Sequence, residues 1–241
     1  MRIIKGIWGA TLTIGLTLML AAGPALAHHG KDFLLLETDD MPEPGTVYLL
    51  GSVDTNLDPD GTRSTEITPG LLFGNNKWAF EPHFHLDSTK DEKLHYDATA
   101  MEVRYRIGNI GRSEWRAAVS GEVEVPRASD AHSDGLARLD FVRTYPNALV
   151  AINLLVGREF SHEARNDYSM GLGVLTPISN TARVGVEVLS RFPVRDGLEI
   201  VPGYYTQLGK SGAMGFKVGV GYYHSQARNA GTLHVQLTQR F

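Results

Sequence analysis

The chain contains no cysteine, and this absence excludes two arrangements that are common in exported proteins. A disulfide framework cannot form, so stability must come from backbone pairing and burial. A lipoprotein anchor, which needs a cysteine at the cleavage point, is excluded as well. Basic residues are also few, because 23 Lys and Arg stand against 27 Asp and Glu, a formal net charge of −4. This acidic balance argues against nucleic acid as a partner.

Long apolar runs are absent except at the N-terminus, where one extends from Ile7 to Leu20. Arg2 and Lys5 precede this run, and Ala25-Leu26-Ala27 comes after it with the small-residue pattern of a cleavage site. These features predict a signal peptide at 1–27, cleaved after Ala27. A retained helical anchor is less favoured, because the run is shorter than the roughly 20 residues that span a bilayer. The remainder of the chain is either a soluble β protein or a membrane barrel.

Helical periodicity is missing, and from residue 46 onward apolar and polar residues alternate in runs of about ten. In the run 78–87, Trp78, Phe80 and Phe84 share one face, whereas His83 and His85 share the other. The alternation predicts an all-β fold of about twelve antiparallel strands. The predicted strands are 46–54, 64–73, 78–87, 95–107, 114–125, 136–145, 148–160, 168–176, 182–192, 198–208, 213–223 and 232–241.

Tight turns and longer, more polar loops alternate between these strands. Short turns at one rim and long loops at the other are typical of an up-and-down transmembrane β-barrel. Aromatic residues near both predicted rims, such as Trp78 and Tyr145 at the short turns and Tyr168 and Phe192 at the long loops, favour two interfacial girdles. The sequence thus predicts a barrel over 46–241, with both chain ends in the periplasm. A soluble protein with ordinary strand aromatics is the alternative.

The closing stretch, with Leu233, Val235, Leu237 and the terminal Phe241, resembles the targeting signal of outer-membrane β-barrels, although Gln239 occupies a usually apolar position. The opening of the exported chain, from His28 to Glu37 and then Pro44-Gly45, resembles a group of uncharacterised proteobacterial outer-membrane barrels. That porin-like group carries a phenol-degradation (MetA-pathway) transporter label. The resemblance implies location in the bacterial outer membrane, contact with lipid and lipopolysaccharide, and recognition of the Phe241 strand by the barrel-assembly machinery.

If the apolar face of each strand contacts lipid, the residues on the other face line the lumen, and these include charges of both signs. The candidate lumen-lining residues, which would set charge preference and radius, are His83, His85, Glu102, Arg104, Arg106, Arg116, Glu122, Arg183 and Arg191. Such a lining can act as a selectivity field in an open pore or can pair into a network that fills the barrel. Inward glycines such as Gly171, Gly173 and Gly219 provide room for a solute or for residues 28–45 as a plug, or they ease barrel curvature.

His83 and His85 could bind Zn²⁺, Cu²⁺ or Ni²⁺ if a neighbouring strand supplied a third ligand. The alternative is a polar lumen pair that bonds water and carboxylates. His28 and His29 would lie directly after the cleavage site, where a free amine and imidazoles can also bind copper. No cofactor is implied by the sequence.

Enzymatic motifs are weak. His224 and Ser225 lie at a loop rim, with Asp167 or Glu163 on another loop, but neighbouring strand residues point to opposite faces. A lipid-modifying activity stays open only as an alternative. The prediction is therefore a small passive channel or transporter for an unknown small solute, and the rival hypotheses are a non-conducting structural or adhesive barrel and a metal-binding barrel.

Overall fold

A computed structural model describes residues 33–89, 93–111, 114–129, 131–161, 164–192, 197–208, 213–226 and 229–241. The predicted signal peptide 1–27, His28, His29 and Glu163 lie outside these residues. Across the described ranges, no helix is long and apolar enough to span a membrane.

Twelve antiparallel strands form a closed barrel in which each strand pairs with its neighbours in sequence and β1 pairs with β12. The strands are β1 Val47–Leu57, β2 Arg63–Gly74, β3 Trp78–Thr89, β4 His95–Asn109, β5 Arg116–Pro126, β6 Asp134–Tyr145, β7 Ala148–Glu159, β8 Asp167–Pro177, β9 Ala182–Phe192, β10 Gly197–Leu208, β11 Met214–His224 and β12 Asn229–Arg240. The predicted all-β fold is confirmed. The largest differences are at the end of β1, predicted at 54, and at the start of β12, predicted at 232.

The two faces of the strands separate apolar from polar residues, as the alternation predicts. On β8 the outward side chains Met170, Leu172 and Val174 are exposed, whereas the inward Leu175 is buried. Many charged side chains are buried inside the barrel: Glu81, Glu102, Arg104, Arg138, Asp140, Glu187, Arg191, Glu199 and Lys217. A water-soluble protein would bury the opposite set, so the exterior suits acyl chains rather than water.

Aromatic pairs lie at both rims of the barrel, and Trp78, Tyr168 and Phe192 are exposed. Trp78 packs on Tyr105 at the short-turn rim with ring centroids 4.6 Å apart, and Tyr168 stacks on Phe192 at the long-loop rim at 6.4 Å. The apolar band lies between them. This placement matches the two girdles expected at the interfaces of a bilayer.

The short-turn rim is shaped by local backbone chemistry. In the turn before β3, the Asn75 side-chain oxygen accepts hydrogen bonds from the amides of Lys77 and Trp78. A Cβ on Gly74 would lie 2.1 Å from the Trp78 carbonyl oxygen, so this turn requires glycine. On β4, Gly108 has a positive φ of 91° at a shift of register between Arg106 and Gly108. Such a bulge bends a strand and redirects nearby side chains at a barrel rim.

Candidate functional site

The residues before β1, 33–46, form what we call the inner segment, and its first part, 33–42, lies within the barrel. Phe33, Leu34, Leu35, Leu36 and Glu37 are all buried, with 0 to 6% of their surface exposed. Further along, the segment approaches the short-turn rim, where the amide of Thr46 bonds the Glu43 carbonyl and the chain turns into β1. The middle of the lumen is therefore occupied by the protein's own chain.

Inward carboxylate and amide side chains satisfy the backbone of the inner segment. The Glu187 carboxylate accepts hydrogen bonds from the amides of Leu34 and Leu35, both at 2.7 Å, and of Leu36 at 3.1 Å. The Asn153 side chain accepts from the Glu37 amide at 2.8 Å and donates to the Glu37 carbonyl at 3.0 Å. A buried peptide without such partners would be costly, so these strand residues make burial of the segment favourable.

On the side of β8 to β11 the inner segment packs against apolar groups and glycines. Phe33, Leu34, Leu35 and Leu36 form one buried cluster with inward side chains of these strands and of β6 and β7: Val142, Ala151, Leu175, Leu189, Val201 and Tyr205. A Cβ on Gly171 would lie 2.2 Å from a terminal methyl of Leu36, one on Gly173 would lie 2.5 Å from the Phe33 ring, and one on Gly219 would lie 2.6 Å from a Leu34 methyl. The space left by these three glycines is filled by the segment.

On the opposite side the segment meets arginines. Glu37 pairs with Arg104 at 2.7 Å and with Arg138 at 3.5 Å, deep in the barrel. Arg104 is shared with barrel carboxylates, because Glu102 lies 3.2 Å away and Glu81 lies 3.9 Å away. Paired buried charges of this kind hold each other in place, since removal of one partner leaves an uncompensated charge.

A second pair of arginines holds the segment closer to the short-turn rim. Both oxygens of Asp39 accept hydrogen bonds from the Arg116 Nε, at 3.0 and 2.9 Å. The Arg106 Nε donates to the Asp39 carbonyl at 2.7 Å and lies 3.5 Å from its carboxylate. Nearer the rim, Glu43 pairs with Arg240. Acidic side chains of the segment are thus bound at three successive levels of the barrel.

Two cavities lie towards opposite ends of the barrel. The larger, of about 820 Å³, lies at the short-turn rim, and the inner segment contributes Thr38, Asp39, Asp40 and Glu43 to its wall. The smaller, of about 380 Å³, lies at the long-loop rim and is lined by residues such as Glu122, Leu155, Arg165 and Arg191. Residues 33–37 and the ion pairs of Glu37 lie between them.

The predicted lumen residues lie at several depths. His83, Glu102, Arg104, Glu122 and Arg191 are buried inside the barrel. The half-buried Arg106 and Arg116 and the exposed Arg183 line the larger cavity instead. Arg191 pairs with Glu199 at 3.2 Å. The role assigned to these side chains in setting charge preference and radius stays a prediction.

His83 and His85 lie two positions apart on the same face of β3, and their ring centroids are 5.1 Å apart. The His83 Nδ1 lies 3.3 Å from the Glu81 carbonyl, whereas the two ring nitrogens of His85 face Glu66 at 2.5 Å and Glu124 at 3.4 Å. Within the part of the chain that the structure describes, no group of three or more His, Cys, Asp or Glu side chains is arranged to hold a metal ion. Metal binding by this pair stays a prediction.

A second buried histidine, which was not among the predicted site residues, links two carboxylates across the closing strands. His234 on β12 bonds Asp54 on β1 at 2.5 Å and Glu199 on β10 at 3.0 Å. The alternation on β12 places His234 on the inward face, so the sequence could have identified it as a lumen residue. Its pairing with Asp54, however, depends on the register in which β12 pairs with β1.

The described residues of the weak enzymatic motif come from two parts of the barrel, the start of β8 and the end of β11 with the residue after it. His224 is exposed and bonds Asn229 across the β11 and β12 loop, while Asp167 lines the smaller cavity on β8. Neither His224 nor Ser225 lines that cavity.

Comparison with known proteins supports the fold. No family model and no curated protein matches this sequence. Three solved structures of porins and channels are similar. The KdgM porin in complex with disordered oligogalacturonate has a TM-score of 0.58 and 11% identity over 80% of this chain and 99% of its own. An outer-membrane channel from Pseudomonas putida F1 has a TM-score of 0.57 and 8% identity, covering 84% and 97%. The NanC porin has a TM-score of 0.57 and 8% identity, covering 79% and 98%.

This chain therefore has the fold of outer-membrane barrel porins. The exposed apolar band and the rim aromatics fit the lipid environment in which such barrels are found.

Proposed function

We propose that the protein is a passive outer-membrane channel for a small solute and that its inner segment closes the lumen. The proposal depends chiefly on one observation: buried residues 33–37 cross the middle of the barrel between a cavity at each end. The porin fold and the resemblance to the phenol-degradation (MetA-pathway) transporter group also favour transport. No resident cofactor is needed, because a passive channel works by radius and charge.

Opening requires that the segment leave its contacts. Departure would vacate the space next to Gly171, Gly173 and Gly219 and would expose arginines that now face Glu37 and Asp39. The buried Arg104 and the half-buried Arg116 would then need water or a solute in place of these carboxylates, since removal of one partner of a buried ion pair is costly. The closed state is accordingly favoured at rest, and opening is an infrequent event that solute or membrane conditions promote.

An engineered disulfide tests this mechanism in the full exported chain, which has no competing cysteine. The Leu36 Cγ lies 3.5 Å from the position of a Cβ on residue 171, so sulfur atoms in Leu36→Cys with Gly171→Cys can meet. The same change removes the Leu36 methyl that would clash with the new side chain. In planar bilayers we expect discrete openings from the reduced protein and none from the oxidised protein.

The two single variants, Leu36→Cys and Gly171→Cys, are the controls, because oxidation should not change their openings. Equal conductance of the oxidised and reduced double variant would mean that solute passes with the segment in place. A folded, heat-modifiable protein that stays silent in every form would instead favour the second candidate.

That second candidate is a non-conducting structural or adhesive barrel. Buried ion pairs favour it, since Arg138 on β6 with Glu102 on β4, and His234 on β12 with Asp54 on β1 and Glu199 on β10, connect different strands through the lumen. Such networks can fill a narrow barrel without any transport. We favour the channel because the segment, rather than the strand side chains alone, occupies the centre.

A further inference from the structure

In the wall of the larger cavity, basic and acidic side chains come from different parts of the protein. Among the residues that the structure describes, its basic side chains all come from the barrel: Arg106, Arg116, Arg183, Lys217 and Arg240. The acidic side chains of the wall, within the same described residues, all come from the inner segment: Asp39, Asp40 and Glu43. Salt-bridged lumen walls ordinarily mix both signs within the strands, as the wall around Arg104 does with Glu102 and Glu81.

The contacts show the same division. Arg106 lies 3.5 Å from the Asp39 carboxylate and 3.9 Å from that of Asp40. Arg116 pairs with Asp39 at 2.9 Å, and Arg240 pairs with Glu43. The segment thus presents three carboxylates within a stretch of five residues to cations fixed on the barrel. Guanidinium groups suit carboxylates because their donors match the two oxygens.

We propose that this cavity is a binding site for solutes that carry several carboxylates, and that the acidic inner segment occupies it as an internal competitor. The inference rests on the proposed channel function and names its solute class. When the segment leaves, it takes with it the acidic groups that the described residues contribute to the cavity wall, and the basic groups stay. A cavity of about 820 Å³ is within the usual range for small-molecule sites.

The proposed site ends at the depth where the strands contribute acidic side chains of their own. Deeper in the lumen, Glu102 and Glu81 already surround Arg104, so a carboxylate replacing Glu37 meets a partly neutralised site. A solute would therefore be held most strongly at Arg106 and Arg116, which lie closer to the short-turn rim than Arg104 does. Competition at these two residues also couples binding to opening, because a ligand that binds only the segment-free state shifts the population towards it.

The test uses tricarballylate, a trianion, and its uncharged triamide as probes. In the variant Asp39→Asn, Asp40→Asn, Glu43→Gln, the cavity keeps its cations and loses its acids. In a KCl gradient we expect its reversal potential to shift towards that of chloride relative to the wild type. Tricarballylate should block this current from the short-turn side, while the triamide should not.

Adding Arg106→Gln and Arg116→Gln to that variant should weaken the tricarballylate block at least about tenfold, since each lost charge-assisted contact has roughly that effect. The matched control is Glu114→Gln. Glu114 pairs with Arg143 near the same rim but does not line the cavity, so its loss should leave selectivity unchanged.

The Asp39→Asn, Asp40→Asn, Glu43→Gln protein is called the acid-neutralised variant. Calorimetric titration of tricarballylate into this variant in detergent separates the inference from the channel proposal. Binding that disappears with the two arginines supports the site even if no current is seen. A folded variant that conducts without anion preference, or that treats tricarballylate and the triamide alike in both measurements, overturns the inference while leaving the channel intact. If the acid-neutralised variant fails to fold, Asp39→Asn alone is used with the same criteria.

Discussion

Glu187 illustrates at the residue scale how an inward side chain holds the inner segment. One buried carboxylate accepts hydrogen bonds from three consecutive amides of the segment and from the hydroxyl of Tyr205. A strand carboxylate that faced only water in an open lumen would have no such set of donors. Glu187 is therefore the residue at which the backbone of the segment is most directly tied to the barrel.

The first prediction concerns Glu187→Gln. The substitution removes the negative charge and one of the two accepting oxygens, so the Leu34, Leu35 and Leu36 amides lose part of their charge-assisted bonding. We expect their hydrogen exchange to accelerate by about tenfold or more, because local opening governs exchange. Mass-spectrometric exchange on residues 33–37 measures this. Unchanged protection, with Glu114→Gln as the control, would mean that Glu187 does not hold the segment.

The second prediction concerns the outward face. Leu154 lies near the middle of β7 and is 43% exposed, so Leu154→Arg places a charge among acyl chains. We expect a loss of about 2 to 4 kcal/mol in the free energy of unfolding. Ser169→Arg is the matched control, because Ser169 lies opposite Leu155 and lines the smaller cavity. Denaturant titration in lipid vesicles compares them, and equal losses would contradict the assignment of faces.

At the scale of elements, the strands were predictable, whereas the sequence left open whether residues 28–45 enter the barrel as a plug. Period-two alternation assigns a face to each strand residue, which is why Arg104, Arg106 and Arg116 could be named as lumen candidates. Phe33, Leu34, Leu35 and Leu36 have no alternation, and the carboxylate that binds them is about 150 positions away in sequence. The inward glycines Gly171 and Gly173 were a signal for a plug, but curvature explained them equally well.

The third prediction uses these glycines. A Cβ in Gly173→Ala would lie 2.5 Å from the Phe33 ring and 2.8 Å from a Leu36 methyl, so the segment must shift. We expect a higher open probability in single-channel recordings, and we expect Leu36→Ala in the same chain to restore part of the closed population. Gly121→Ala, with nothing within 4 Å of its Cβ, is the control and should behave as the wild type. If Gly173→Ala leaves the open probability unchanged, the result would argue against closure of the lumen by the segment.

At the scale of the whole molecule, the fold leaves no unpaired strand edge because β1 and β12 close the barrel over ten residue pairs, from Tyr48 with Arg240 to Leu57 with Gly231. Closure satisfies the backbone within the bilayer, where water is absent. The alternation that directs apolar residues outward also directs charges inward, and the inner segment compensates them. The lipid-facing surface and the binding cavity are thus two consequences of one sequence pattern.

The fourth prediction concerns assembly. The side chain of Phe241 is 74% exposed, while its amide bonds the Val47 carbonyl at 2.9 Å. Because Phe241→Ser keeps that backbone bond, we expect the free energy of unfolding of the refolded barrel to change by no more than about 0.5 kcal/mol. If the barrel-assembly machinery recognises the last strand through this side chain, the amount of heat-modifiable barrel in outer-membrane fractions should nevertheless fall. Phe160→Ser, at an exposed aromatic of the long-loop rim, is the control. An equal fall for both variants would place the effect in the membrane anchoring of aromatics rather than in recognition of the last strand.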